Sequence, residues 1–288
     1  MKVKVTVPAT SANLGPGFDT MGLALNWKYE YTIATTRKEN QQDVKSKMVQ
    51  KGFNSIYKLY EQKKIPNIKI NSSNNILIGK GLGTSAACYL AGIEAANIFL
   101  KFPFNDEQKL KQAITIEGHA DNVLPAYYGG LQIIVKNENS NEISNLKIKV
   151  NNKIKLLVLV PSFSMPTKKT RKSIKKIVPI NDAVFNMSRA ILLSHSLETG
   201  KYKYLKEATK DTLHQKNRSK FFPGMFKVFD AGIRNGAHGI YLSGGGPTIG
   251  AFVTNNEEKI GQAMGNALND SNSIIKLCKI INSGIKVE

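Results

Sequence analysis

The run Gly79-Lys80-Gly81-Leu82-Gly83-Thr84-Ser85-Ala86-Ala87 has the composition of an anion cradle. Glycines let a backbone turn sharply and approach a ligand with no Cβ in the way. The Ala- and Leu-rich stretch that follows, to about Leu100, predicts a helix. A helix start offers unpaired N–H groups and a partial positive charge to an anion. Thr84 and Ser85 add hydroxyls for phosphate oxygens or a metal ion. The run is not a Walker A loop, because Gly-Lys is followed by Gly-Leu and not by Ser or Thr. The plain alternative is a strand-to-helix turn with a hydroxyl cap.

A second group is Glu117-Gly118-His119-Ala120-Asp121-Asn122, with two carboxylates and an imidazole close together. A magnesium ion on a nucleotide takes hard oxygen ligands, often one or two carboxylates with a hydroxyl and water. Glu117 and Ser85 are candidates for that pair. The alternative is a helix end capped by Gly118, with Asp121 capping the next helix. A third run, Ser243-Gly244-Gly245-Gly246-Pro247-Thr248, fits a close approach to a ligand or to another loop, and equally a plain hairpin. The least ordinary segment is Pro8 to Asp19, a polar loop tied to the first strand. Its Asn13 and Asp19 could recognise a polar substrate, or could simply build Asx turns.

These segments need elements to hold them. Val3, Val5 and Val7 alternate with polar residues, which predicts a strand at 2–7. Trp27, Tyr29, Tyr31 and Ile33 share one face of a second strand. Residues 36–47 read as a loop and 48–63 as a helix. Short strands are predicted near 66–71 and 74–78, and a helix from Asp106. Strands follow at 130–136 and 143–150. The second half opens on a buried strand at 154–160, followed by two or three helices up to about 235. A strand–turn–strand at 238–253, a helix at 256–268 and a strand at 274–281 complete it. The class is α+β in two lobes, divided near Asn151–Asn152 into residues 1–152 and 153–288.

Composition narrows the function classes. Apolar residues make up 41% of the 288, enough for a packed core. The longest apolar stretches fall far short of a membrane span. Cys88 and Cys278 form neither a zinc spacing nor a disulfide framework, so a cytoplasmic setting is expected. A net charge of +20 invites a nucleic-acid reading, but the lysines are dispersed and read mainly as solvated surface.

Taken in order, the segments resemble the GHMP kinases. Gly-Leu-Gly-Thr-Ser-Ala-Ala is similar to the family's phosphate loop, and Ser-Gly-Gly-Gly-Pro-Thr to its third motif. Pro8-Ala-Thr-Ser-Ala-Asn-Leu-Gly-Pro-Gly-Phe-Asp19 and Glu117 to Asn122 are similar to the homoserine kinase branch in particular. Thr167-Lys168-Lys169-Thr170-Arg171 and His214 to Arg218 resemble its two arginine segments.

The resemblance implies a first lobe like domain 2 of ribosomal protein S5 and a ferredoxin-like second lobe. It implies ATP at Gly79–Ala87, Mg2+ on Ser85 and Glu117, and Asp121 as the best candidate for a general base. It implies L-homoserine as the small-molecule substrate, in threonine biosynthesis. Asn13 and Asp19 would meet its amino and hydroxyl end, Arg171 and Arg218 its carboxylate, with His119, Asn122 and Thr167 nearby. No nucleic-acid or membrane partner is expected, and a homodimer is allowed. The rival readings are a related kinase of another small alcohol and a non-catalytic RNA-binding relative.

Overall fold

The computed structural model describes residues 1–37, 43–61, 64–73, 76, 78–137, 142–165 and 167–288, apart from the side chains of Thr167 and Lys168. The valine alternation begins β1, Lys2–Ala12, which pairs antiparallel with β2, Met21–Thr35. β1 therefore runs five residues beyond the predicted end. Proline usually stops a ladder, but Pro8 sits where the register shifts, and pairing resumes at Ala9 with Leu25. The polar loop is thus shorter than expected and starts at Asn13.

Helix α1, Val44–Tyr60, starts earlier than predicted because Asp43 caps it, accepting from the Ser46 N–H at 2.7 Å. After β3, Ile68–Ser72, come α2, Thr84–Phe99, α3, Asp106–Glu117, and α4, Val123–Tyr128. The strand predicted at 74–78 falls mostly on residues outside the described set. α2 is apolar on nearly every side and is correspondingly buried, packed against α1 and β1. β4, Leu131–Lys136, and β5, Ile143–Ile148, complete the first lobe.

The second lobe begins with β6, Lys155–Val160. Five helices follow where two or three were expected. They are α5, Thr167–Lys172; α6, Ile180–Thr199; α7, Leu205–Ala208; α8, Gln215–Arg218; and α9, Met225–Arg234. Then come β7, Gly239–Leu242, β8, Ile249–Val253, α10, Glu257–Leu268, and β9, Ile274–Lys279. The sheet order β7-β8-β6-β9, with α9 and α10 in the crossovers, is the expected ferredoxin-like arrangement.

A two-residue strand, β10, Lys286–Val287, had no sequence signal. It returns to the first lobe and pairs with β1, giving the order β10-β1-β2-β4-β5, with β3 beside β2. β6 is buried on both faces. Leu156, Val158 and Val160 join the larger core, which is shared with the first lobe, and Leu157 and Leu159 join the core beneath α9 and α10. The two lobes are therefore packed through continuous apolar contact. Cys88 and Cys278 are both free and buried. Among the described residues, no helix is long and apolar enough to cross a membrane.

Candidate active site

The glycine loop is held from three directions. The Leu82 carbonyl accepts from the Thr10 N–H at 3.1 Å and from the Tyr29 hydroxyl at 2.9 Å. The Gly81 carbonyl accepts from the Ser243 hydroxyl at 2.6 Å, and the Lys80 carbonyl from the Thr248 N–H at 3.2 Å. Ser243 is itself bonded to Ser11, and Ser11 to the Tyr241 hydroxyl, so buried hydroxyls link β7, β1 and the loop. The Ser243–Thr248 segment is therefore a brace for the phosphate-type loop.

Several expected loop contacts are redirected. Lys80 turns its ammonium to the carbonyls of Pro161, Ser162 and Phe163, each within 2.9 Å, so its side chain caps the end of β6. Leu82, Ala86 and Ala87 are buried in the core. The Ala87 N–H is already bonded to the Gly83 carbonyl, and the Thr84 hydroxyl lies 2.8 Å from that of Tyr29. What remains for an anion is the backbone of the loop and the start of α2.

α3 is opened by a capping box at Asn105 and closed by Gly118 at φ 89°, which leaves Glu117 at its last turn. The Ser85 hydroxyl donates to Glu117 Oε2 at 2.5 Å. Burial raises the Glu117 pKa, while His119 and Ser85 oppose that shift. His119 bridges the two carboxylates, with Nδ1 2.5 Å from Asp121 and Nε2 3.7 Å from Glu117. Burial pulls the imidazole down, but Asp121 and Glu117 outweigh it and lift its pKa to about 9. Asn122, expected at the substrate, has another task. Its Oδ1 accepts from the Thr10 hydroxyl at 2.7 Å and its Nδ2 donates to Asp121 at 3.2 Å. Both ends of the amide are spent on holding the loops. A cavity of about 600 Å³ opens beside this corner, lined among others by Lys47, Lys51, Gln112 and Ile116.

The loop after β1 carries the other half of the site. Asn13 donates to the Gly244 carbonyl at 2.9 Å and accepts from the Asp19 N–H at 3.1 Å. Asp19 faces Arg171, which donates to both of its oxygens. Arg218 is almost fully buried, at 2% exposure, and donates to the Gly244 carbonyl at 2.7 Å. Its Nε has no partner, and among the described residues no carboxylate lies within ion-pair distance of it. Burial, then Arg171, pull the Arg218 pKa down to about 10. Thr167 starts α5, but its side chain lies outside what the structure describes.

Four contributors went unread in the sequence. Phe18 lies against both arginines, its ring centre 5.3 Å from the Arg171 guanidinium and 5.4 Å from that of Arg218. His214 donates from Nε2 to the Gly15 carbonyl at 2.7 Å, so its Nδ1 accepts from Arg218 at 3.0 Å. Asp211 accepts from the N–H groups of Leu213, His214 and Gln215. Asn186, on the inner face of α6, ties Asp211 to the Pro16 carbonyl. Phe18 and His214 sat in segments that drew attention, and nothing in the sequence marks Asn186 or Asp211.

Burial, reinforced by Arg218, lowers the His214 pKa to about 4 despite Asp211. Its folded pKa is thus below the ordinary value of about 6.5. The unfolded chain takes up the proton first on acidification, so the contribution to stability is full above that value and is lost as pH falls toward 4. His214 is expected to stay neutral at about pH 6 by imidazole NMR shifts, while the melting temperature declines through the same window. A His214 titration midpoint near 6.5 in the folded protein would contradict this.

The fold has known relatives. Residues 48–130 match the GHMP kinases N terminal domain, and residues 193–270 match GHMP kinases C terminal. A homoserine kinase from Petrotoga mobilis is 36% identical over 99% of this chain and 96% of that protein. One from Clostridium beijerinckii is 37% identical over 89% of this chain and 88% of that protein. The crystal structure of homoserine kinase from Cytophaga hutchinsonii superposes with TM-score 0.85 at 27% identity, covering 100% of this chain and 97% of that one. The mevalonate kinase of L. major, at 15% identity and TM-score 0.74 over 98% of this chain and 96% of that one, shares the fold. On its two domain matches and its full-length relatives, the chain belongs to the GHMP kinase family.

Proposed function

We propose that this chain transfers the γ-phosphoryl group of ATP to the side-chain hydroxyl of L-homoserine, giving O-phospho-L-homoserine in threonine biosynthesis. The observation that carries the reading is the pairing, in one cleft, of a phosphate-type loop with a receptor bearing both charges. Relatives named homoserine kinase at 36% and 37% identity support it.

The triphosphate would lie along the backbone of Gly79–Ser85 and the start of α2. Ser85 and Glu117 fit a magnesium site. They offer two hard oxygens, a hydroxyl and a carboxylate, 2.5 Å apart. That suits an ion held by one carboxylate and substrate phosphates. Bound there, it would neutralise charge on the transferring group. Phosphoryl transfer depends mainly on positioning, so a strong base is not needed. Asp121 is the carboxylate available to take the hydroxyl proton. Its Oδ1 already accepts from His119 and Asn122. Asn13 and Asp19 would meet the ammonium and hydroxyl end of the amino acid, and Arg171 and Arg218 its carboxylate. Residues 1–152 would then form the ATP-binding unit and residues 153–288 the C-terminal unit. A cytoplasmic setting goes with this reading.

The test is coupled ADP release with L-homoserine, mevalonate, galactose and shikimate in turn. Magnesium-dependent turnover of homoserine well above the other three is the expected result. Background rates with homoserine alongside turnover of another alcohol would overturn the substrate assignment.

A further inference from the structure

Asp19 and Arg171 come from different lobes and meet across the cleft as a two-pronged pair, with Arg171 Nη1 3.1 Å from Asp19 Oδ1 and Nη2 on Oδ2. Arg218, also against the Phe18 ring, has no carboxylate within ion-pair distance among the described residues. Two guanidiniums thus stand beside Phe18 in the ligand-free site, and one of them has already taken Asp19. A free amino acid brings one more carboxylate and one ammonium. Its carboxylate can engage Arg171 and Arg218 together, and its ammonium can take over Asp19.

We propose that the Asp19–Arg171 pair is an internal stand-in for a zwitterionic ligand, split on binding, so that the site selects for both charges at once. This rests on the amino-acid substrate reading above and adds a mechanism of discrimination to it. A ligand with a carboxylate alone must pull Arg171 away and leave Asp19 without a cation. A ligand with an ammonium alone must take Asp19 and leave two guanidiniums facing each other. The charged subsites are thus coupled, and a singly charged ligand loses more than its missing contact. The pair is partly solvated, with Arg171 at 41% and Asp19 at 31% side-chain exposure, so the coupling is modest in size.

Asp19→Asn separates this from two independent subsites. Asparagine tolerates the positive φ of 59° at that position, and the backbone bond to Asn13 is unaffected. By titration calorimetry, Asp19→Asn is expected to bind L-homoserine more weakly than the parent chain. It is expected to bind 4-hydroxybutanoate about two- to five-fold more tightly, because Arg171 is already released. Arg171→Gln should do the same for 3-aminopropan-1-ol, which has no carboxylate. If each variant weakens homoserine but leaves the singly charged ligand unchanged, the subsites are additive and the stand-in is refuted. If the parent chain does not bind homoserine yet turns over another alcohol, the substrate reading falls first, and this inference falls with it.

Discussion

Replacing Glu117 by glutamine is expected to cut kcat by at least about a hundred-fold while leaving the melting temperature close to that of the parent chain. The side chain is confined between α2 and α3, where its Oε2 accepts the Ser85 hydroxyl at 2.5 Å. Glutamine keeps the length and an oxygen able to accept that bond. What it removes is a negative charge held in a place where burial already works against it, as the raised pKa shows. His119 and Ser85 offset only part of the desolvation cost, so folding alone gains little from a carboxylate there over a neutral amide of the same shape. A carboxylate facing a divalent cation is a different matter, since its charge offsets the cost when the ion is present.

The two roles split cleanly in measurement. Steady-state kinetics across a magnesium titration, beside a thermal melt without nucleotide, gives both numbers. A metal ligand shows as a collapsed kcat that saturating magnesium does not restore, with little change in the melt. Near-normal kcat at saturating magnesium would rule out the ligand role. A large fall in melting temperature with modest kinetic change would make Glu117 a brace for α3.

The glycine segments were legible in the sequence because glycine at a sharp turn has few substitutes, and their order along the chain carried the fold. Side-chain direction was much less legible. Lys80 beside three glycines reads as a phosphate contact, yet carbonyls at Pro161 to Phe163, some eighty positions away, claim its ammonium. Asn122 sits in a segment that reads as catalytic, but its partner Thr10 is 112 positions distant and turns it into a strut. Asn186 lies within a long helix whose pattern gives no sign that it reaches Pro16, 170 positions earlier. Pro8 misled in the other direction, because a proline at a register shift leaves the ladder intact on either side. Local pattern recorded which backbone bends, and the long-range partners decided what each polar side chain does.

Gly83 is where these two levels meet. Substitution by valine is expected to lower the melting temperature by on the order of 10 °C. The sequence suggests that a side chain there would block the nucleotide. The structure locates the obstacle inside the protein. A Cβ on Gly83 would lie 1.9 Å from the Thr10 hydroxyl and 3.1 Å from Asn122 Oδ1. Gly79, by contrast, has open space where its Cβ would be. Gly83 also holds φ 72°, which a β-branched residue adopts only under strain of about 1–3 kcal/mol.

The collision and the strain can be separated with a smaller substitution. Gly83→Ala carries both costs. Thr10→Ala removes the hydroxyl in the way but leaves the buried Asn122 oxygen without its donor, a loss of about 1–3 kcal/mol. In the double variant the 1.9 Å collision is gone, while the tight contact with Asn122 Oδ1 at 3.1 Å, the strain and the missing bond remain. Chemical denaturation of the four proteins should therefore show the double variant losing less than the sum of the single losses, by about 1 kcal/mol or more. Additive losses would mean that Thr10 yields freely, and that only the backbone angle requires glycine. Sub-additive losses, with ATP affinity in the double variant recovering toward that of Thr10→Ala alone, would establish that the strand β1 sets the shape of the phosphate loop through this one contact.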